Sequence, residues 1–448
     1  MNTLDHLCKF LANSAWFPAY VLLCMLLVTA VVAYFMPKTV MMKMTAESMR
    51  TTAPFPPVVL AIFAAFIGLS WQYGHCGPIL SLILIPLVVL GRTKQDRYGV
   101  ALAYYLAGSH GLIEGSASFF GQGHVPMGIA LWLASSALLA AGWAFADRPW
   151  RVIAVLAVDA LPPLGLFDWL SPLASAGVLF PGASWLGLIL LLASIFLYVR
   201  WMMPTDTPIY IDLLGFLIMI SVLLHIMTVL NPQVTPNGWI GTNLHVGPIT
   251  RNIMADMDRN QKWIRQAQAE AGHHTVVLLP ETLTTWWTGN AEDVQHAIPK
   301  GQIWLVGASV PVGRDLLADG IEEVRGGVVD GKEKPGRLNF VSPFPVPVSM
   351  WHPWYQGHGY VRADGVGYEA GWWEPVRKVD GVRAWASICY DQLLPWVWME
   401  GVVQNPQVVL LTNNEWWAKG TGIPNIQRAT AWAWTRLIGS PVVEGENA

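Results

Sequence analysis

Cys389 is the residue of this sequence best suited to covalent chemistry. It ends the apolar segment AWASIC and is followed by Tyr390 and Asp391, a pattern typical of a strand that runs into a turn. A thiol at such a turn can attack a carbonyl carbon while main-chain N–H groups stabilise the oxyanion. From position alone, a nucleophile and a buried, inert cysteine are equally favoured. The other cysteines lie in or beside apolar runs of the N-terminal half: Cys8, Cys24 and Cys76.

Glu281 is a second candidate, in the block LLPET at the end of another apolar segment, with Trp286 and Trp287 close behind it. Aromatic walls would strip water from the carboxylate, raise its pKa and suit it to general-base catalysis. On this motif alone, a solvated loop carboxylate beside core tryptophans is the more frequent arrangement.

Patterns typical of metal and cofactor sites are missing from the sequence. The histidines of the C-terminal half form no HExxH motif, the cysteines are not paired at zinc spacing, and no glycine-rich phosphate loop occurs. Hydrophobic residues make up 53% of the 448 positions and charged residues 13%, about half the ~25% usual in soluble domains. We therefore expect no metal, no cofactor and no direct contact with nucleic acid, and we exclude a single soluble domain.

The charged residues divide the chain near Asn231. Residues 1–230 contain 10 Lys+Arg and 9 Asp+Glu, whereas residues 231–448 contain 17 and 21. This contrast predicts a membrane half followed by a water-soluble half. Eight apolar runs approach the ~20 residues that a spanning helix needs. They lie near 16–36, 55–73, 77–91, 98–119, 127–146, 151–168, 183–203 and 209–230.

The basic residues of the first half predict its orientation. They gather in alternate connections, and the positive-inside rule assigns those connections to the cytoplasm. The resulting domains are an N-terminal anchor helix with a cytoplasmic loop (1–53), a membrane domain of about seven helices (54–230) and an extracytoplasmic domain (231–448).

Short apolar segments in the second half predict strands that alternate with helices. Two helices fit 252–271 and 426–438, and 313–337, rich in glycine and charge, is expected to be an exposed loop or hairpin. This order is typical of an α/β domain. The predicted strands are 238–244, 275–280, 302–310, 382–390 and 407–412.

Six sequence blocks in this half together resemble the carbon-nitrogen hydrolase (nitrilase) superfamily: GTNLHVG, LLPET, IWLVGAS, ASICYD, VVLLTNNEWW and NIQRATAWAWTRLIGSPVV. With a multispan half in front, the chain is similar to apolipoprotein N-acyltransferases, and most of all to TraB-type conjugal transfer proteins. The stretches PVPVSMWHPW and TNNEWWAKGTG carry the latter likeness. The resemblance implies a multispan α-helical membrane domain joined to a nitrilase-like α-β-β-α sandwich.

The resemblance also implies a Glu–Lys–Cys triad, of which two members match, Glu281 and Cys389, with Asp391 as an accompanying acid. The lysine does not match, because the family register places Ser342 or Phe340 at its position. The cations nearest in sequence are Lys334 and Arg337, and either would have to supply the charge. The aromatic residues expected to line the cleft are Trp286, Trp287, Tyr390 and Trp416.

The implied function is that of a bacterial inner-membrane acyltransferase or amidase-like enzyme with its soluble domain in the periplasm, associated with plasmid conjugal transfer. Cys389 would carry a thioester whose acyl group comes from a membrane phospholipid and passes to an amine or protein acceptor. Proteins of the conjugation machinery are the expected partners. Loss of one oxyanion donor typically costs about 10²–10³ in rate, so the alternative is a catalytically impaired nitrilase-fold scaffold of a conjugation or envelope complex.

Overall fold

The computed structural model describes residues 55–203, 209–249, 252–313, 316–327, 335–351 and 367–447. The predicted anchor helix and loop of 1–53 and the candidate Lys334 lie outside these residues. The chain forms two compact units. The first contains the described chain up to Pro232 together with Leu393–Trp396 and Gly420–Gly439, and the second contains Gln233–Gln392, Val397–Lys419 and Ser440–Ala448.

The first unit is built from helices. Those that precede Pro232 are α1 (Pro57–Leu69), α2 (Cys76–Leu80), α3 (Leu84–Val89), α4 (Lys94–Gly108), α5 (Gly111–Phe120), α6 (Val125–Trp143), α7 (Pro149–Ala160), α8 (Ser175–Leu179), α9 (Ser184–Met202) and α10 (Ile209–Leu230). Among the described residues, three helices are long and apolar enough to cross a membrane: Gln122–Trp143, Ser184–Met202 and Ile209–Leu230. They correspond to three of the eight predicted spans.

The other predicted spans within the described residues appear as shorter helices. The run 98–119 is divided between α4 and α5, and the run 77–91 between α2 and α3. In the run 151–168, α7 ends at Ala160, just before Pro162 and Pro163. Proline has no N–H for the helical ladder and disfavours helical backbone in the residue before it. The apolar run 151–168 therefore does not become one continuous helix.

Among its described residues, the second unit contains two β-sheets and three α-helices. In chain order its strands are β1 (Trp239–Gly241), β2 (Asn243–Leu244), β3 (Val276–Leu278), β4 (Thr284–Thr285), β5 (Ile303–Pro311), β6 (Leu316–Arg325), β7 (Arg337–Val341), β8 (Gly367–Tyr368), β9 (Arg377–Val379), β10 (Val382–Ile388), β11 (Val408–Asn414) and β12 (Val442–Asn447). The helices are α11 (Ile253–Ala271), α12 (Thr288–Ala297) and α13 (Pro395–Gln404), whose first two residues belong to the first unit.

The strands of the second unit form two sheets, A and B. Sheet A has the order β1-β3-β5-β6-β7, with β4 beside β5 and β8 beside β6, and sheet B has the order β2-β12-β11-β10-β9. In sheet A the neighbouring strands β1, β3 and β5 are parallel, and in sheet B the neighbouring strands β2, β12, β11 and β10 are parallel. The pairs β5–β6, β6–β7 and β10–β9 are antiparallel. Each of the five predicted strand segments contains an observed strand.

Two hydrophobic clusters hold the second unit together. One contains buried residues of both sheets, among them Leu278, Ile321 and Leu410, so the sheets pack face to face. The other joins sheet A to α11 and α12. On sheet B, Trp385 of β10 packs against Trp398 of α13, with ring centroids 5.5 Å apart. The unit is therefore layered as helix, sheet, sheet and helix.

Of the two forms predicted for 313–337, an exposed loop or a hairpin, the hairpin is present, because β6 (Leu316–Arg325) pairs antiparallel with β5; the predicted exposure was wrong for this strand. Asp319 and Glu322 are buried within this strand. Acidic residues are rarely fully buried, so the sequence ADGIEEV reads as solvated chain. Pairing with β5 and β7 nevertheless satisfies its backbone in the interior.

Helix α14 (Ile423–Ile438), which the sequence assigned to the α/β domain, is grouped with the first unit. It follows Gly422, whose φ is +77°, and carries Pro424 in its first turn. Twelve of its residues are buried, among them the polar Gln427, Thr430 and Thr435. Within the first unit it lies against α8, where Gly177 would clash with the Ala433 carbonyl if it carried a Cβ.

Candidate active site

Cys389 lies directly after β10, at the first position of a 3-10 turn that runs to Leu393. Its φ is +44°, in the left-handed region, which costs a non-glycine residue roughly 1–2 kcal/mol. Its side chain is 7% exposed and belongs to the cluster between the sheets. Strained residues of this kind concentrate at functional sites, and the turn predicted after AWASIC is present.

Glu281 follows β3 on sheet A, and the backbone around it is held on both sides. The next residue, Thr282, also has a left-handed φ, of +45°. The side-chain amide of Asn414, at the end of β11, donates a hydrogen bond to the Glu281 carbonyl oxygen over 3.0 Å. Gly307 of β5 leaves room for this segment, since a Cβ there would lie 2.6 Å from the Glu281 Cα.

The structure brings Glu281 and Cys389 together: the carboxyl group and the thiol form a hydrogen bond. Both residues are buried, with Glu281 5% exposed and Cys389 7% exposed. Burial raises the pKa of both groups well above their ordinary values, and Glu281 raises the thiol pKa further through its charge. The resting thiol is consequently protonated, and the carboxyl group beside it also holds a proton more firmly than a solvent-exposed carboxyl group does.

Asp319 is a third member of the site, which the sequence reading missed. It lies on β6, is 2% exposed and shares a hydrogen bond with the Glu281 carboxyl group. The hydroxyl of Thr282 donates to its Oδ1 over 3.2 Å. Burial raises the Asp319 pKa to about 7, and the hydrogen bonds from Glu281 and Thr282 oppose that rise. The available signal was an acid beside apolar residues in a segment long enough for a hairpin strand.

Asp391 fixes the turn that carries Cys389. Its carboxylate accepts hydrogen bonds from the main-chain N–H of Phe344 over 3.0 Å and of Ile388 over 3.4 Å. Burial raises its pKa well above the ordinary value, while the bond from Phe344 and the nearby Ser342 act in the opposite direction. The Asp391 charge also raises the pKa of Glu281. We therefore assign Asp391 a role in holding the turn.

Of the two cations proposed to replace the family lysine, Arg337 lies within the described residues, and it is not among the groups that shift the thiol pKa. Arg337 begins β7 and is exposed, five residues and so roughly 16 Å of extended strand from Ser342. Ser342 and Phe340, the two register positions for the lysine, are both buried and uncharged. Within the described parts of the chain, the charged neighbours that raise the thiol pKa are all acidic: Glu281, Asp319 and Glu415.

The predicted cleft aromatics have different environments. Trp286 is 1% exposed in the core between sheet A and its helices, and its Nε1 donates to the Pro335 carbonyl over 3.1 Å. Trp287 beside it is 51% exposed, and Trp416 is half-buried. Trp286 therefore serves packing, because a ring closed in by the core cannot meet a substrate.

Tyr390 joins an aromatic cluster directly after the nucleophile. Its ring centroid is 6.3 Å from that of Phe344, which is 4.8 Å from Trp351 and 5.5 Å from Trp372. Trp372 is half exposed, as is Trp373 beside it. The cluster extends from the strand end at Cys389 to the surface, and Trp351 and Trp372 are members that the site prediction did not include.

These features define a class: a chain with apolar helices of membrane-spanning length and a two-sheet α/β unit that holds a buried thiol–carboxyl pair. No protein-family model matches the chain. The conjugal transfer protein TraB of Agrobacterium fabrum strain C58 is 32% identical over 413 residues, which cover 87% of this chain and 92% of the relative. The probable conjugal transfer protein TraB of Sinorhizobium fredii strain NBRC 101917 / NGR234 is 29% identical over 396 residues, 86% of this chain and 97% of the relative.

The chain belongs to the TraB family of conjugal transfer proteins. The predicted link to TraB-type proteins is thereby confirmed.

Proposed function

We propose that this protein is a cysteine-dependent acyl-transfer or amide-hydrolysing enzyme that acts in plasmid conjugal transfer. The observation that carries the proposal is the hydrogen bond between the buried Glu281 carboxyl group and the Cys389 thiol. A nucleophile paired with a base within hydrogen-bond reach is the arrangement that covalent catalysis requires. The names of the two relatives support the role in conjugation.

The proposed reaction begins at the Cys389 sulfur. As Sγ forms a bond to the acyl carbonyl carbon, the thiol proton moves to the Glu281 carboxylate. The tetrahedral intermediate expels an amine or alcohol, which takes the proton from Glu281, and leaves a thioester. Water or an acceptor amine then attacks the thioester, gives its proton to Glu281 and releases the thiol, to which the proton returns.

The raised pKa of Cys389 explains why a base is needed for this reaction. A thiol that stays protonated is a weak nucleophile, and the acidic groups around it oppose its ionisation. Proton transfer to Glu281 during the attack avoids a free thiolate in this surrounding. The oxyanion donors that the turn offers are main-chain N–H groups, since the family lysine has no counterpart at Ser342 or Phe340.

The layered arrangement of the second unit supports a nitrilase-like α-β-β-α fold for it. In this proposal the protein is a multi-pass protein of the bacterial inner membrane, with its domains divided at 53 and 230 and the nitrilase-like domain in the periplasm. A membrane phospholipid supplies the acyl group, and a protein or small amine of the conjugation machinery accepts it. The aromatic cluster from Tyr390 to Trp372 supplies an apolar surface beside the nucleophile for the acyl chain.

A second candidate function is a non-catalytic scaffold in a conjugation or envelope complex. It is favoured by one observation: the charged groups that shift the Cys389 pKa in the described residues are acidic, where the resemblance implies a lysine. An oxyanion without its cation is formed about 10²–10³ times more slowly. In this alternative the site around Glu281 and Cys389 binds a partner or ligand without reacting with it.

The two candidates are separated by intact-mass analysis of the purified full-length protein after incubation with phospholipid or a p-nitrophenyl acyl ester. The acyltransferase proposal predicts a hydroxylamine-sensitive acyl adduct on the Cys389 peptide that is lost in Cys389→Ala and reduced at least about 100-fold in rate in Glu281→Gln. Arg337→Ala is the matched control, and because Arg337 is exposed on β7 we expect its adduct to form at the wild-type rate. Absence of an adduct from every donor would favour the scaffold.

A further inference from the structure

We propose that Glu281 and Asp319 hold a single proton between their carboxyl groups, so that Asp319 is a positioning residue that decides when Glu281 is free to accept the thiol proton. The inference rests on the proposed function for its catalytic meaning, although the proton sharing itself does not. Asp319 shares its hydrogen bond with Glu281 and acts on the proton transfer through that residue, while its charge also raises the thiol pKa directly.

The geometry of two adjacent strands places the two carboxyl groups together. Asp319 pairs with Ser309 across β5 and β6, and Ser309 also pairs with Thr285, four residues after Glu281. The Asp319 carbonyl oxygen accepts the Ser342 N–H over 2.8 Å, which fixes its backbone from β7. Its side chain is then held between the Thr282 hydroxyl and the Glu281 carboxyl group. Thr282 has a single proton to donate, so it does not replace the proton between the acids.

Two carboxyl groups in hydrogen-bond contact cannot both be ionised when they are buried, and one proton shared between them removes the repulsion. The titratable groups that face the pair further disfavour ionisation of both carboxyl groups. Cys389 and Asp391 face it from the turn after β10, and Glu415 faces the thiol from the segment after β11. All of them are acidic, and none offers a positive charge that would let both carboxyl groups ionise.

The shared proton controls the first step of the proposed reaction. When it lies on Asp319, that carboxyl group donates to Glu281, whose other oxygen is available to the Cys389 S–H. The thiol proton then moves to Glu281 as the sulfur–carbon bond forms, and both carboxyl groups are protonated in the intermediate. The leaving group takes one proton away, which returns the pair to its single proton.

The test is the pH dependence of Cys389 alkylation by iodoacetamide in the purified full-length protein, followed by mass spectrometry of the Cys389 peptide. We expect wild type to show a step near pH 7, where Asp319 loses its proton and the pair passes from two protons to the single shared one, which leaves Glu281 able to act as a base whenever that proton lies on Asp319. Asp319→Asn removes the partner charge, so Glu281 ionises at lower pH and alkylation at pH 6 is faster by about tenfold, equal to one pKa unit. Glu281→Gln abolishes the step.

Thr282→Val is a second variant that shifts the step in the opposite direction. It removes the hydroxyl that stabilises ionised Asp319, keeps the branched shape at a left-handed position, and moves the step to higher pH. Asp319→Glu restores a shared proton and with it the wild-type profile. Glu323→Gln, on the same strand with its carboxylate bonded to Asn339 and Arg325, is the control and leaves the profile unchanged.

The outcomes separate this inference from the proposed function. If Asp319→Asn and Thr282→Val both fold, as measured by thermal unfolding, and both profiles coincide with wild type, the shared proton is refuted even when an acyl adduct forms. If the profiles shift in opposite directions while no donor gives an adduct, the shared proton stands and the acyl-transfer proposal fails. If Asp319→Asn does not fold, an unshifted Thr282→Val profile is sufficient to refute the inference.

Discussion

The side-chain amide of Asn414 donates a hydrogen bond to the main-chain carbonyl oxygen of Glu281 over 3.0 Å, and so ties the end of β11 in sheet B to the base of the candidate site in sheet A. The Asn414 Oδ1 accepts in turn from the side-chain amide of Asn447 over 2.9 Å. Because these groups are buried, the position of Glu281 depends on a partner from the other sheet.

Asn414→Ala is expected to destabilise the second unit. The Glu281 carbonyl and the Asn447 amide each lose a buried partner, which costs about 1–3 kcal/mol per unsatisfied group. Thermal unfolding of the purified protein should show a lower midpoint, and the Cys389 adduct should form more slowly because Glu281 is less firmly held. Asn243→Ala, at an exposed strand position, is the control, with an expected change within about 0.5 kcal/mol. Equal stability of the two variants would show that the bond contributes nothing.

Gly307→Ala should disturb the site from the neighbouring strand. The added methyl group would lie 2.6 Å from the Glu281 Cα and still closer to the Pro280 carbonyl, so the segment must move. We expect a loss of about 1–3 kcal/mol of stability from this overpacking and slower reaction of Cys389. Gly289→Ala in α12 has open space around it and should instead be neutral or stabilising by up to about 1 kcal/mol. Denaturant unfolding of the two variants gives the comparison.

Substitutions at Cys389 should reveal the backbone strain of the turn. At a φ of +44°, alanine keeps the left-handed penalty of about 1–2 kcal/mol, whereas glycine loses it at an entropic cost of about 0.5–1 kcal/mol. Cys389→Gly is therefore expected to be more stable than Cys389→Ala. At Ala386, in the regular part of β10, the order is reversed and Ala386→Gly lowers stability. Finding alanine the better residue at both positions would argue that the turn is relaxed.

The stability of the second unit should fall as the pH rises from about 5 to 9. Glu374 accepts the Val341 N–H and Glu400 accepts the Glu374 N–H, and burial raises the pKa of each from 4.5 to about 8. The folded protein thus binds protons that the unfolded chain has lost, so the stability from these groups is complete below about pH 4.5 and is lost as the pH passes 8.

Glu400→Gln keeps an acceptor for the Glu374 N–H and removes one of these titrations. We expect its unfolding midpoint to vary less between pH 6 and 9 than that of wild type, while the exposed Glu369→Gln follows the wild-type curve. Parallel curves for Glu400→Gln and wild type would mean that Glu400 is already ionised in the folded protein.

Periodicity and composition predicted the strands on which the site depends. The five apolar segments contain β1 and β2, β3, β5, β10 and β11 because short, β-branched runs next to turn residues have few other stable conformations. The apolar runs that became Ser184–Met202 and Ile209–Leu230 were equally clear, since uninterrupted apolar sequence of that length favours one long helix. The stretches PVPVSMWHPW and TNNEWWAKGTG also indicated the TraB family.

What the sequence could not supply are the relationships across the two sheets. The sequence predicted that Asp319 lies in an exposed loop or hairpin, and only the pairing of its strand with β5 and β7 shows that a carboxylate there is buried against Glu281. Proximity in sequence likewise favoured Arg337 as a cation for the thiol, whereas the strand direction leaves it exposed at the far end of β7.

The sequence by itself therefore indicated the strands that hold the site, the two candidate residues and the family, because local pattern and chemical type are properties of short segments. The tertiary structure decided which charges surround the thiol, because burial and hydrogen-bond partners depend on strands that are distant along the chain. Helix α14 shows the same division: its helical pattern is local, but packing alone assigns it to the first unit.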